Sequence, residues 1–181
     1  MAELKQEQAA KKGDLRMIAL KIEDLKTFTA QLFMGETFDY WLVREANIVT
    51  FNSFTIDGRI RQGYYSDEEL ETNRIEELSS WKTLRPFCYS LIRGRKLPES
   101  FQITLQLSPE ENEKFIRRVK PDLPADQIAA LYLNIRYENH AAACVTGTSL
   151  KIFMLDKQIE QEWDETVRRY FKKLQIPYVE V

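Results

Sequence analysis

The chain has 181 residues, of which 44% are hydrophobic and 30% are charged. This length suits one domain with a sizeable core or two small domains, and the composition is typical of a soluble globular protein. Because 26 basic and 28 acidic residues leave a net charge of −2, the chain as a whole has no electrostatic attraction to nucleic acid or anionic lipid. One histidine, two cysteines and six glycines exclude most metal centres, nucleophilic triads and glycine-rich phosphate loops.

The N-terminal segment has only two large apolar side chains, Leu4 and Leu15, and it predicts a flexible extension over residues 1–16. A single α+β domain is expected over residues 17–181. No apolar run is long enough for a spanning helix or a secretory signal. Cys88 and Cys144 lie in apolar segments and are expected to be buried reduced thiols, with a disulfide or catalysis as the alternatives. These features predict a cytoplasmic protein with no membrane attachment.

The first predicted elements are a strand and a helix. Alternating apolar residues indicate the strand over residues 18–22, and apolar side chains at helical spacing indicate the helix over residues 24–34. Gly35 is a stop signal for that helix. Aromatic and β-branched residues then predict an extended region over residues 38–60.

Two dipeptides predict bends within the extended region. Ala46-Asn47 is a plausible first bend, and Asp57-Gly58 a second, since Asp-Gly supplies the positive φ angles of a tight hairpin. We therefore expect a meander of two or three antiparallel strands.

A capping box at Ser66-Asp67-Glu68-Glu69 predicts the next helix, or two short helices. Arg85-Pro86 should end it, because proline pushes its predecessor out of helical geometry. Strands are then expected over residues 87–92 and 101–107, on either side of a loop over residues 93–98.

Ser108-Pro109-Glu110-Glu111 is a second capping box, with proline at the first helical position, and Pro121 ends the helix that it opens. Residues 128–137 and 142–154 predict a hairpin that turns at residues 138–140. The last helix is capped by Asp156. Its apolar stripe consists of Ile159, Trp163, Val167, Tyr170, Phe171 and Leu174.

The order strand, helix, strand, strand occurs twice, over residues 18–56 and 101–154. The pattern predicts an α+β fold with a mainly antiparallel sheet and helices packed on one face. It also admits a duplicated β-α-β-β unit.

The residues offer little catalytic chemistry. His140 lies in the predicted turn, and with Cys144 it gives too few ligands for a metal site. Gly58 and Gly63 have the spacing of a phosphate loop, but Tyr64-Tyr65 replaces the lysine and hydroxyl residue that such a loop requires. We expect no catalytic residue, no metal and no cofactor.

Carboxylates are the remaining route to catalysis, and Glu45, Asp57 and Glu138 lie near predicted strand ends. An enzyme that uses carboxylates is therefore an alternative to a protein without catalysis.

One group of cations and aromatic residues suggests binding, because arginines beside aromatics bind phosphates and stack on bases. The candidate site residues are Arg59, Arg61, Tyr64, Arg85, Arg93, Arg95 and Lys96. Residues 67–77 carry six acids and one base, so pairing of these two charge blocks would neutralise the surface. A partner protein is a further alternative.

Several short strings are similar to a known family. They are Met17-Ile18-Ala19-Leu20-Lys21-Ile22, Thr37-Phe38-Asp39, Ile56-Asp57-Gly58-Arg59, Trp81, Arg85-Pro86 and Leu91-Ile92-Arg93-Gly94-Arg95. Over residues 17–174 the chain resembles a bacterial domain family of unknown function that is common in anaerobic Gram-positive bacteria. The resemblance implies a bacterial cytoplasmic protein with one compact domain, and it implies no activity, cofactor or catalytic residue.

The leading hypothesis is a non-enzymatic binding module whose arginine and aromatic surface contacts a protein or an acidic ligand. Nucleic-acid binding through the same surface is the second hypothesis, and a carboxylate enzyme is the third.

Overall fold

The structure, a computed structural model, describes residues 17–181. The predicted extension over residues 1–16 lies outside the described residues. The strands are β1 (Ala19–Ile22), β2 (Leu42–Val49), β3 (Ser53–Asp57), β4 (Ser100–Gln106), β5 (Ile128–Glu138), β6 (Ala141–Leu150) and β7 (Tyr178–Glu180). The helices are α1 (Leu25–Phe33), α2 (Asp67–Thr72), α3 (Trp81–Ile92), α4 (Pro109–Val119) and α5 (Gln158–Lys173). Short 3₁₀ turns span Gln62–Tyr64 and Ala125–Gln127.

The strands form one sheet in the order β3-β2-β4-β5-β6-β1-β7, and every neighbouring pair is antiparallel. Strand β4 shows the alternation that gives the sheet two different faces. Phe101, Ile103 and Leu105 are buried beneath the helices, whereas the residues between them are exposed or half-buried on the other face. We call that second face the open face. The predicted α+β fold, with an antiparallel sheet and helices on one face, is confirmed.

Aromatic side chains join the helices to the covered face of the sheet. The Phe33 ring of α1 meets the Phe101 ring of β4 edge-on, with 5.3 Å between centroids. Trp81, at the start of α3, is fully buried and donates its indole N–H to the carbonyl of Leu32 at 2.8 Å. Since a buried indole needs a partner for its N–H, this bond fixes how α1 and α3 lie together.

The predicted bends in the extended region are wrong. Strand β2 runs through Ala46-Asn47 without interruption, because it pairs with β4 on one side and β3 on the other. Gly58 follows β3 but is not a positive-φ residue of a hairpin. Glycine is needed there for another reason: a Cβ at Gly58 would lie 1.7 Å from the Val43 carbonyl oxygen.

The helix boundary predicted at Arg85-Pro86 is also wrong. Helix α3 begins at Trp81 and continues through Pro86 to Ile92, so the strand expected over residues 87–92 is the second half of a helix. Proline removes one backbone N–H from the helical ladder, which normally breaks a helix. Here the N-cap bond from Ser80 and the burial of Trp81 and Cys88 offset that loss.

Most local signals elsewhere are confirmed. The Ser66 capping box is complete, with bonds in both directions. Ser108 caps α4 and Pro109 opens it, although the Glu111 side chain pairs with Lys114 rather than returning to the cap. The hairpin of β5 and β6 turns at Asn139 and His140, both at positive φ. Its second strand ends at Leu150, before the predicted residue 154.

Strand β1 lies far in the sheet from β2, although the two are nearly adjacent in sequence. It pairs with β6 and with β7, a C-terminal strand that the sequence patterns did not predict. In the second β-α-β-β segment, strands β4, β5 and β6 are direct neighbours in the sheet. In the first segment β2 pairs with β3, but β1 lies elsewhere, so the two segments differ in strand pairing. Their origin by duplication stays a prediction.

Candidate functional site

A cleft of about 670 Å³ opens between α5, the loop from α1 to β2, and the start of α4. We call it the aromatic cleft. The residues that line it are Thr37, Tyr40, Trp41, Leu107, Ser108, Glu110, Glu111, Trp163, Thr166, Val167, Tyr170, Lys173 and Leu174. Small-molecule sites generally have volumes of roughly 300–1,000 Å³ and mostly apolar walls.

Helical periodicity places the α5 wall. Trp163, Val167, Tyr170 and Leu174 recur at the spacing of one helix face, which is the apolar stripe that the sequence predicts. The opposite wall comes from the sheet order. Because β2 begins where its neighbour β4 ends, Trp41 and Leu107 reach the same end of the sheet.

The floor of the cleft is formed by aromatic rings. The Trp41 ring lies 6.1 Å from that of Trp163 and 5.8 Å from that of Tyr170. Trp41 donates its indole N–H to the Tyr170 hydroxyl at 3.3 Å, and that hydroxyl donates to the Thr37 carbonyl at 2.7 Å. Trp163 donates to the Tyr132 carbonyl at 2.9 Å. Since these polar atoms are satisfied within the protein, the rings offer only apolar surface to a ligand.

Burial also acts on the hydroxyl in this floor. The Tyr170 side chain is largely removed from water, and this burial raises the pKa of its phenol above the ordinary value. The bond from Trp41 opposes the rise, because it favours the charged form. The phenol is therefore held neutral, as a donor to the Thr37 carbonyl.

The rim of the cleft carries charge of both signs. Glu110 and Glu111 lie 3.0 and 2.8 Å from the ammonium of Lys114, which offsets part of their charge. Lys173 is exposed on the other wall, and within residues 17–181 the structure gives it no carboxylate partner. Tyr40 stands at the mouth and is 88% exposed.

A buried ion pair fixes the loop that carries Tyr40 and Trp41. Asp39 is only 4% exposed and accepts two hydrogen bonds from the Arg85 guanidinium, at 2.9 and 3.0 Å. The backbone N–H of Trp81 also bonds to the Trp41 carbonyl at 2.8 Å. Helix α3 therefore positions one wall of the cleft.

The structure separates the candidate site residues predicted from sequence. Arg85 faces inward against Asp39. Arg59 and Arg61 are exposed after β3, with Tyr64 in the 3₁₀ turn that follows them. The remaining three, Arg93, Arg95 and Lys96, are exposed in the loop after α3.

The cations therefore form two separate groups. Arg59 forms an isolated backbone β-bridge with Leu78, near the start of α3, whereas Arg93 is the C-cap residue of the same helix. Twelve helical residues at 1.5 Å each put these positions about 18 Å apart along the helix. In the described part of the chain, no ion pair joins residues 67–77 to either group. A binding role for these residues stays a prediction.

The thiols are buried, as expected. Desolvation raises the pKa of Cys88 to about 12, and it raises the pKa of Cys144 further, so neither thiol is ready to act as a nucleophile. His140 is exposed in its turn. Within residues 17–181, no group of three or more His, Cys, Asp or Glu side chains is arranged to hold a metal ion.

The three candidate carboxylates are divided between the two ends of the sheet. Glu45 and Asp57 are direct cross-strand partners on β2 and β3, and both are exposed. Asp57 accepts a bond from the Arg59 backbone N–H at 3.0 Å. Glu138 ends β5, at the opposite end of the sheet. A role for them in catalysis stays a hypothesis.

Sequence reasoning missed the aromatic cleft. From sequence, Trp41 and Trp163 fit core positions as easily as a ligand site, and the structure buries both. One signal was present in α5, where Thr166 and Lys173 flank the aromatic stripe at its own spacing. No local pattern shows that the loop before β2 and the start of α4 would face that helix.

No helix of the described residues combines the length and the apolar character needed to cross a membrane. Neither the curated proteins nor the solved structures contain a match to the chain. Residues 31–179 match the profile of DUF5721, a family of unknown function. The match begins later than the resemblance seen in the sequence and covers most of the chain. The chain therefore belongs to DUF5721, a family of unknown function.

Proposed function

We propose that the protein is a binding module whose aromatic cleft takes a small, flat, apolar molecule that carries a negatively charged group. The convergence of aromatic rings in the cleft carries this proposal. Trp41 and Trp163 are buried at its base, so a ligand gains free energy by burying apolar surface and stacking on the more accessible Tyr40 and Tyr170 rings.

The charge of the ligand follows from the rim. Lys114 offsets one of the two charges of Glu110 and Glu111, and Lys173 is the exposed cation on the other wall, without a carboxylate partner among the described residues. A carboxylate or sulfonate beside Lys173 would form a charge-assisted bond. The acidic ligand expected from the sequence is assigned to the arginine and aromatic surface, so an anionic ligand in the cleft is a separate proposal. Bacterial origin and a cytoplasmic location, also expected from the sequence, belong to the same proposal.

The test uses a pair of dyes that differ in one group. 8-Anilinonaphthalene-1-sulfonate is a flat apolar anion, and N-phenyl-1-naphthylamine is the same ring system without the sulfonate. Both are titrated by fluorescence into the full chain. We expect Lys173→Gln to weaken binding of the anionic dye by about 10-fold, the usual effect of losing a charge-assisted bond, and to leave the neutral dye unchanged.

Two further variants locate the dye. Thr166→Trp places a bulky ring in the cleft and should abolish binding of both dyes. Lys172→Gln removes the adjacent cation, which does not line the cleft, and should change neither titration. Binding that persists in Thr166→Trp would place the dyes elsewhere and disprove the cleft as the site. An equal loss in both lysine variants would disprove the specific role of Lys173.

A further inference from the structure

Three connections meet at the end of the sheet opposite the aromatic cleft. They are the turn between β2 and β3 (residues 50–52), the loop before β4 (residues 93–99) and the turn between β5 and β6 (residues 139–140). The register joins them, since Val49 pairs with Ser100, and Ser100 pairs with Glu138. The Glu99 backbone N–H also bonds to the Val49 carbonyl at 2.9 Å. We call this end the basic tip.

The loop before β4 supplies the charge of the basic tip. Arg93, Arg95 and Lys96 are all exposed, and within residues 17–181 none forms an ion pair. Gly94, between the two arginines, has a φ of +145°, which other residues rarely adopt. The acids of the tip, Glu99 and Glu138, are also exposed and leave an excess of positive charge.

An exposed aromatic ring lies at the neighbouring turn. Phe51 lies at the β2 to β3 turn and is 86% exposed. Its ring meets that of Phe54 edge-on at 5.7 Å, which holds it outward rather than against the core. The residues that flank it, Thr50, Asn52 and Ser53, are polar. An exposed aromatic ring that polar residues flank in sequence can stack on a base.

The open face continues from the basic tip with hydrogen-bonding side chains. Asn47, Gln102 and Arg136 are neighbours in one row across β2, β4 and β5. This row lies two residues from the end of the strands, or roughly 7 Å at the rise of an antiparallel strand. Amides and guanidinium groups are the side chains that bond the edges of unpaired bases.

We propose that the basic tip, with the adjacent row of the open face, binds single-stranded nucleic acid. Arg93, Arg95 and Lys96 contact the phosphates, Phe51 stacks on one base, and Gln102 and Arg136 bond the edge of another. This site lies at the other end of β2 and β4 from the aromatic cleft, so it is independent of the proposed function.

The test is a fluorescence anisotropy titration of the full chain with short fluorescein-labelled oligothymidylate and oligouridylate at several salt concentrations. The triple variant Arg93→Gln, Arg95→Gln, Lys96→Gln should weaken binding at least about 10-fold at low salt. It should also lower the slope of log K against log salt by about 2, because each lost phosphate contact removes about 0.7 for a single strand. Phe51→Ala should weaken binding at least about 5-fold with the slope unchanged, because stacking does not release counterions.

The matched control is the double variant Arg59→Gln, Arg61→Gln, which removes exposed arginines at the other end of the sheet. It should bind as the unaltered chain does, and circular dichroism should show that all variants are folded. Three outcomes would overturn the proposal: no salt-dependent binding of either oligonucleotide, an equal loss in the control, or binding only of phosphatidylserine vesicles or an acidic peptide.

Discussion

The aromatic cleft and the basic tip lie at opposite ends of the same two strands and are built in opposite ways. In the cleft, hydrogen bonds join the loop before β2 to helices α3 and α5, and these bonds fix the positions of the aromatic rings. In the tip, side chains project from turns and have no ion-pair partners among the described residues. Substitutions in the cleft should therefore change both stability and binding, whereas substitutions in the tip should change binding alone.

The two ends of α3 give the largest expected contrast. Arg85→Met leaves the Asp39 carboxylate buried without its cation, and we expect the free energy of unfolding to fall by about 3–5 kcal/mol. Arg93→Met, at the exposed end of the same helix, should change the free energy of unfolding by less than about 0.5 kcal/mol. Urea denaturation of both variants measures the difference.

A double variant checks the cause. Asp39→Leu with Arg85→Met removes both charges, and it should recover much of the stability that Arg85→Met alone loses. If Arg85→Met and Arg93→Met had the same effect, the buried pair would not be what holds the loop of the cleft.

The course of α3 shows where sequence reasoning stops. Helix α5 and the Ser66 capping box could be predicted because their signals lie within a few turns of the chain. Helix α3 could not, because the burial that offsets the loss at Pro86 includes Trp81, whose indole bonds to the Leu32 carbonyl 49 residues earlier. The local preference of proline predicts the loss of one backbone hydrogen bond in the helix, but it cannot predict a contact with a residue so distant in sequence.

The two sites differ in the same respect. The cations of the tip could be found from the sequence because they are nearly consecutive, whereas Phe51, on a separate turn, is not among the candidate residues. The cleft joins three separate segments, and their meeting depends on the pairing of β2 with β4. Strand pairing is a property of the whole sheet, so no spacing within a segment reveals it.

A smaller effect is expected at the floor of the cleft. Tyr170→Phe removes the hydroxyl that accepts from Trp41 and donates to Thr37, and it leaves two polar groups without their partner. We expect a loss of about 1–3 kcal/mol in urea denaturation. Tyr40→Phe at the exposed mouth is the control and should have almost no effect. Equal values for the two would mean that the floor is not held by these bonds.

The smallest expected effect is the pH dependence of stability that comes from Asp164, which lies on α5 outside the aromatic cleft. Asp164 is 6% exposed and accepts a bond from the Thr146 hydroxyl at 2.5 Å. Burial raises the pKa of Asp164 above its ordinary value, against the bond from Thr146 and the nearby Arg168. The folded chain therefore binds the carboxyl proton of Asp164 more tightly than the unfolded chain does. The stability that this proton adds is complete below pH 3.8 and is lost as pH rises through the pKa of the folded state.

Asp164→Asn carries no charge, so its free energy of unfolding should rise relative to the unaltered chain as pH rises from 3.8 through the raised pKa of the folded state. Asp156→Asn is the control with the opposite sign. The bond from Lys120 lowers the pKa of Asp156, so the contribution of Asp156 is present above pH 3.8 and lost as pH falls. Urea denaturation at several pH values measures both, and parallel curves for the two variants would contradict the assignment.

The position of β1 between β6 and β7 has a consequence for how the chain acquires its structure. Leu20 pairs with Cys144 on one side and Glu180 on the other, so β1 finds its partners only after β2, β3, β4 and β5 have been synthesised. Closing such long loops is slow. We expect β2, β3, β4 and β5 to assemble first, and the sheet to be completed in a late step in which both termini of the described chain arrive together.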